Sequence, residues 1–338
     1  MITTLPKLSP NLREICLEGL PRETPITLAV SELVLNTKEN SLLIFDVDSP
    51  LTEQAYQVLC KHTNLRRLCT TIDKPNPLST MALPNLVDMS IQYYHSHDWL
   101  ESFHGASFGK LASFIVFSES DAIGDFLGAF ETAALTTSIP ASLTTFQFNT
   151  ERPWRPTYRS LLPFTQLTML IIESPCTLGC SSTIDDDSIV DLARAMPKLR
   201  TLSLGDKPCQ TPGGVTVKGL TALAHHCLHL SSLCIHFQVA TLDPPQIPIP
   251  ASVDESTVSR EGCALSFLQA GWIRVPEKST LMVALTLLGI FPHLESIGYN
   301  GRGWKTVSDA IRNSKNLIRC SGKKDSFVTL RAALMTPR

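Results

Sequence analysis

The sequence predicts an α/β solenoid of about twelve strand–helix units, stacked in a horseshoe with a parallel sheet on the concave face and helices outside. Three observations lead there. A short motif (leucine, two variable residues, an apolar residue, one variable residue, a second apolar residue) starts twelve times between Leu12 and Leu317. Segments with helical periodicity lie between the copies. Pro or Asn then closes many of those segments just before the next motif leucine. The composition agrees: 43% of the 338 residues are hydrophobic, including 47 leucines, while aromatics make up 7%, so leucine builds the core.

In chain order, the motif is clearest in SPNLREICL (Leu12, Ile15, Leu17), LPNLVDMSI (Leu86, Met89, Ile91), MPKLRTLSL (Leu199, Leu202, Leu204) and FPHLESIGY (Leu294, Ile297, Tyr299). Weaker copies start at Leu42, Leu65, Leu111, Leu143, Leu167, Leu230, Leu265 and Leu317. The mean period is about 28 residues, and several units carry insertions. Alternation of apolar with polar residues after the motif leucine is strand periodicity with one face buried. Helices are expected at TEQAYQVLCKH (52–62), IGDFLGAFETAAL (123–135), DDDSIVDLARAM (185–196), KGLTALAHHC (218–227) and KSTLMVALTLLGI (278–290). Leu220, Leu223, Ala224 and Cys227 form the buried stripe of the fourth. Proline disfavours helix in the residue before it, which stops these helices on time. One strand and one helix cannot bury their apolar sides alone, so the units share a continuous core, and residues 1–338 read as one elongated domain. Insertions are expected at about 150–160 and 240–262, and DSFVTLRAALM (325–335) is a candidate terminal cap.

On these motifs the chain resembles leucine-rich-repeat proteins over nearly its whole length. GLTALAHHCLHLSSLCI (219–235) resembles the cysteine-containing unit of F-box leucine-rich-repeat proteins, with Cys227 at the family cysteine; elsewhere His62, Met196 or Phe291 stands there. The resemblance implies a receptor that recognises a protein substrate for a ubiquitin ligase and does no chemistry itself. An F-box would be a three-helix segment ahead of the repeats. LPRETPITLAV (20–30) opens like one but lacks the apolar helical pattern that should follow, and the chain enters a repeat by Leu12. Such a segment is therefore expected upstream of Met1, in a longer gene product, or to have been lost.

Composition excludes several classes. Net charge is −2 without a basic cluster, which argues against nucleic acid or an anionic membrane as partner. The longest apolar run, 281–291, stops at Pro292, short of a spanning helix. No secretory signal or N-glycosylation sequon is present, and the ten cysteines are irregularly spaced. A reduced cytoplasmic or nuclear protein is expected.

Candidate chemistry is sparse. His225, His226, Cys227, His229, Cys234 and His236 are dense in sequence. On the expected elements they point three ways: Cys227 inward, His225 and His229 outward from the helix, Cys234 and His236 onto the concave face. Zinc needs about four converging ligands. Cys176, Cys180 and Cys209 lie near equivalent strand ends, with Asp185 to Asp187 nearby, and stacking could bring them together. GYNGRGWKT (298–306) lacks the Gly-Lys pair of a phosphate loop and reads as a strand-to-helix turn. Asp46 and Asp48 face the same way, but an open sheet supplies no cleft to separate two carboxyl pKa values. No nucleophile elbow is present. No catalytic residue, metal or cofactor is expected.

The concave face carries the binding expectation. The third, fifth and seventh motif positions give Glu14, Cys16 and Glu18; Ile44, Asp46 and Asp48; Arg67, Cys69 and Thr71; Asp88, Ser90 and Gln92; Ser113, Ile115 and Phe117; Thr145, Gln147 and Asn149; Met169, Ile171 and Glu173. The first third is mainly acidic and the centre more apolar, which suits a protein partner with a basic edge beside an apolar patch. Glu14, Asp46, Asp48, Arg67, Asp88, Gln92, Phe117, Asn149 and Glu173 are the expected contacts. Trp154 joins them from the 150–160 insertion, where Tyr158 and three arginines lie close by in sequence. The expected function is protein recognition, as the substrate-recognition region of an F-box ubiquitin-ligase receptor. Alternatives are a free-standing leucine-rich-repeat scaffold or inhibitor, and a Cys/His metal-dependent enzyme.

Overall fold

A computed structural model describes residues 11–20, 23–72, 83–93, 108–119, 130–131, 139–151, 158–174, 184–205, 214–238, 262–270, 275–299 and 302–321. The chain divides into two compact units, Met1–Pro175 and Cys176–Arg338. Both are α/β, with strands that are all parallel to their neighbours.

The first unit contains β1 (Glu14–Leu17), β2 (Ile44–Pro50), β3 (Arg67–Ile72), β4 (Asp88–Tyr93), β5 (Ser113–Ser118), β6 (Thr145–Thr150) and β7 (Met169–Glu173). Each pairs in parallel with the next in sequence. Its helices include α1 (Thr24–Leu35), α2 (Glu53–Leu59) and the short α3 (Ile139–Ser142). The second unit holds β8 (Thr201–Leu204), β9 (Ser232–Ile235), β10 (Phe267–Ala270) and β11 (Ser296–Tyr299), again parallel in order. Between and after them run α4 (Asp186–Ala195), α5 (Val217–His226), α6 (Thr280–Ile290) and α7 (Trp304–Ser321).

Every described strand begins two residues after a motif leucine, from Leu12 before β1 to Leu294 before β11. The leucines at 42, 65, 86, 111, 143, 167, 199, 230, 265 and 294 are fully buried, as is the first apolar strand position in nearly every unit. Before most strands a tight turn closes on the motif leucine. The Leu199, Leu230 and Leu294 amides donate to the carbonyls of Met196, Cys227 and Phe291 at 3.2, 3.0 and 3.1 Å. Those three residues end α4, α5 and α6 in one conformation, with φ/ψ of −123/63, −107/69 and −122/82°. Met196, Cys227 and Phe291 thus share one backbone joint despite their different side chains. His62, Leu83 and Phe164 occupy the equivalent position in the first unit, all buried.

Side chains stitch one repeat to the next. The Thr144, Thr168, Ser231 and Ser266 hydroxyls, each directly after a motif leucine, donate to the carbonyls of Ala112, Thr144, Arg200 and Ser231 at 3.1, 3.1, 3.0 and 3.2 Å. Asp186, in the first turn of α4, accepts from the Thr216 amide (2.8 Å), the Thr216 hydroxyl (2.6 Å) and the Gly219 amide (2.9 Å) at the start of α5. Its carboxylate satisfies amides that a helix start leaves without partners.

Two expectations change. The twelfth motif start, Leu317, lies inside α7 and begins no strand. Trp304, Val307, Ile311 and Ser314 are buried at helical spacing, and no Pro or Gly interrupts that pattern before Leu317, so the helix runs on. The segment at 20–30 does lead into an apolar helical pattern. Val30, Leu33 and Val34 form the buried stripe of α1, the helix joining β1 to β2. The expected helix at 278–290 is present as α6, apolar almost all round and correspondingly buried from Val283 to Leu288. The expected helix at 123–135 is described only at 130–131, which is helical. Most of both insertions and the 325–335 segment lie outside the described residues.

Candidate functional site

The open face of the first unit's sheet is the surface the sequence singled out. Because successive side chains on a strand alternate, every second residue of β1–β7 points to it. The pairing places the expected residues in continuous rows. One runs Glu14, Ile44, Arg67, Asp88, Ser113, Thr145, Met169. The next runs Cys16, Asp46, Cys69, Ser90, Ile115, Gln147, Ile171. A third links Thr71, Gln92, Phe117, Asn149 and Glu173. Phe117 is 40% exposed at its centre, and Phe267 is similarly open on β10 of the second unit.

The acidic end is more internally satisfied than its composition suggests. Asp46 is ion-paired with Arg67 at 2.8 Å. The register shifts after Asp46, so Pro50, not Asp48, aligns with Thr71. Asp48 turns its carboxylate to the Gly19 and Leu20 amides at 2.7 and 3.3 Å. Gly19 has φ of +66°, and the Asp48 bond holds that turn after β1. Asp48 therefore caps the turn after β1 while remaining only partly buried. Thr71 is also removed from the face: it is buried, and its hydroxyl donates to the Asp48 carbonyl at 2.9 Å. Glu14, Glu18 and Asp88 remain exposed.

Cys16 and Cys69 flank Asp46 in the second row. Burial, then the Asp46 carboxylate, pushes the Cys69 thiol up to about 11. The same two causes raise the Cys16 thiol. Both are protonated at neutral pH and are poor nucleophiles there.

In the 150–160 insertion, Trp154 lies outside the described residues. Tyr158 does not join the surface: it sits in a 3₁₀ turn, Tyr158–Leu161, with its ring buried, and burial pushes its phenol up. An aromatic ring ahead of an apolar turn gains more from covering the core than from water.

The Cys/His group of the second unit divides as the sequence suggested, with one change. Cys227 is buried, its sulfur 3.5 Å from the Met196 carbonyl and 3.7 Å from that of Ala193, and its thiol is pushed up to about 12 by burial. Cys263 repeats the arrangement one unit on, 3.4 Å from the Cys227 carbonyl. His225 and His229 are exposed. His236, expected on the open face, is buried instead; its ring covers Gly205, whose φ is +113° and where a Cβ would meet His236 Cδ2 at 2.9 Å. Cys176, Cys180 and Cys209 lie outside the described residues. The neighbouring acids are committed elsewhere: Asp185 caps α4 through Ser188, Asp186 caps α5, and Asp187 pairs with Lys218 at 2.8 Å. Among the described residues, no three His, Cys, Asp or Glu side chains converge as a metal site. Gly303, in the expected strand-to-helix turn, has φ of +89°, and a Cβ there would strike the Val275 carbonyl oxygen at 2.3 Å, so backbone approach explains the glycine.

What sequence reasoning missed is pairwise: the Arg67–Asp46 bond, the Asp48 cap, and a buried Asn149 Oδ1 that accepts no hydrogen bond. Each depends on which strand lies beside which, and no local pattern announces it. No protein-family model matches the chain, and no curated protein matches it.

Proposed function

We propose that the chain is a protein-recognition module of leucine-rich-repeat type, its repeats forming a horseshoe solenoid whose concave sheet face binds a protein partner. The observation that carries this reading is two side-chain rows across seven strands and a third across five, acidic at β1–β4 and apolar around Ile115, Phe117 and Ile171. Such a face offers a partner electrostatic guidance at one end and buried apolar contact at the other. The partner presents a basic edge beside an apolar patch. The chain has a net charge of −2, which does not favour nucleic acid or an anionic membrane as the partner. The repeat style supports a role as the substrate-recognition region of an F-box ubiquitin-ligase receptor in cytoplasm or nucleus, without catalysis of its own. An F-box contributed by a longer product of the same gene would bind the ligase adaptor.

The test is co-purification of the tagged native gene product from its own cells, alongside Glu14→Lys/Asp88→Lys and Ile115→Asp/Phe117→Asp variants. Asp46 and Asp48 are left intact because both hold the fold. Joint recovery of ligase adaptor and a partner lost in both variants supports the full reading. Recovery of that partner without adaptor leaves a free-standing scaffold or inhibitor. A partner retained equally by both variants sinks the surface assignment.

A further inference from the structure

We infer that Gln92, Phe117 and Asn149 form a subsite for an arginine side chain of the bound protein segment, an inference that rests on the sheet-face reading above. The three are consecutive in one row: Gln92 pairs with Phe117 and Phe117 with Asn149. Neighbouring strands lie about 4.8 Å apart, so an amide stands on each side of the aromatic ring. Two features are unusual for such a row. Phe117 leaves 40% of itself in water, whereas Ile115 on the same face of β5 is only partly exposed. Asn149 Oδ1 is buried and accepts no hydrogen bond. A buried acceptor without a donor costs free energy until a donor arrives, and the exposed ring supplies a surface for whatever carries that donor.

The donor's chemistry follows from its neighbours. Asp88 lies on the same face of β4 as Gln92 and is exposed, and Glu173 follows Asn149 in the row. Among the described residues of the open face, Glu14, Glu18, Asp46 and Asp88 outnumber Arg67, so a cation is favoured and a carboxylate repelled. A flat guanidinium meets all three demands at once. It stacks on an aromatic face, carries several N–H donors in a rigid fork, and is easier to desolvate than an ammonium. Lysine would supply the charge without the stacking or the fork. Ile115 and Ile171 flank the next row and receive apolar neighbours of that arginine.

The experiment is selection of a random-peptide display library on the purified full chain, followed by affinity measurement with synthesised winners. The expected winners carry arginine beside apolar residues. Replacing that arginine by lysine or glutamine, or introducing Phe117→Ala or Asn149→Ala, lowers affinity about tenfold or more, with melting curves unchanged. Winners without arginine, winners that bind equally with lysine, or winners that lose affinity with Ile171→Asp but not with Phe117→Ala and Asn149→Ala overturn the subsite and leave the sheet-face reading standing. Winners indifferent to all three substitutions, or no winners at all, overturn both.

Discussion

His62 shows how much one side chain can reveal when its hydrogen bonds are followed. It fills the helix-end joint taken by Leu83 one repeat later, and it is fully buried. The Thr37 hydroxyl donates its one proton to the Val34 carbonyl at 2.7 Å, so its oxygen accepts from His62 Nε2 at 3.1 Å. That fixes the proton on Nε2 and leaves Nδ1 a buried, unmet acceptor. Burial depresses the imidazole pKa below its ordinary 6.5, although Glu39 opposes the shift. Between the two values the unfolded chain binds the extra proton, so this stabilisation is complete above about pH 6.5 and fades as pH falls below it. His62→Leu is expected to change stability at pH 7 by less than about 1.5 kcal/mol and to flatten its decline between pH 7 and 5; chemical denaturation at several pH values checks both. Asp186 makes the opposite case. Asp186→Ala strips three donors of their acceptor at the start of α5 and should cost roughly 1–3 kcal/mol in the same assay. Asp187→Ala, which loses only an exposed ion pair with Lys218, should cost well under about 1 kcal/mol.

Elements were legible in proportion to how local their cause is. A motif leucine followed by alternation marks a strand because backbone geometry and burial coincide within six residues, and all eleven described strands begin where that pattern places them. Helices α4, α5 and α6 were equally plain, since each is closed by the turn it enters. The segment at Leu317 was misread because LIRCSG meets the motif only through Cys320 and Gly322, while the helical spacing set upstream runs on through it. The choice between them depends on Trp304 and Val307, more than two turns upstream. Ile311→Ala should therefore cost about 2–5 kcal/mol, while Arg312→Ala, on the exposed side of α7, should stay within about 0.5 kcal/mol; thermal melts monitored by circular dichroism separate them. The candidate site was legible only as rows. The first two rows follow from the motif positions, but the shift that aligns Pro50 rather than Asp48 with Thr71 was not legible, nor were the bonds from Asp46 to Arg67 and from Asp48 to the Gly19 and Leu20 amides.

For the molecule as a whole, stability resides in contacts between adjacent repeats. Phenylalanine is concentrated where three repeats of the first unit meet: Phe130 stacks on Phe114 and Phe164 at centroid distances of 4.8 and 5.3 Å and leans on Phe146 at 5.3 Å. Phe146→Ala should cost about 3–5 kcal/mol. In a nearest-neighbour structure the loss should remain local, so hydrogen exchange should accelerate in β5, β6 and β7 and leave α6 near its original rate. A uniform increase along the chain would contradict that picture. The matching backbone joints at Met196, Cys227 and Phe291 carry this modularity into the chain's history. Excising residues 196–226 would connect Ala195 to Cys227, a residue already holding the dihedral angles and the tight turn that Met196 supplied. Loss of a single residue within β9 would instead turn Leu233 toward water and invert every position after it. Whole repeats can thus be duplicated or dropped with each seam intact, lengthening or shortening the parallel sheet in steps, which a single-codon slip inside a strand cannot do.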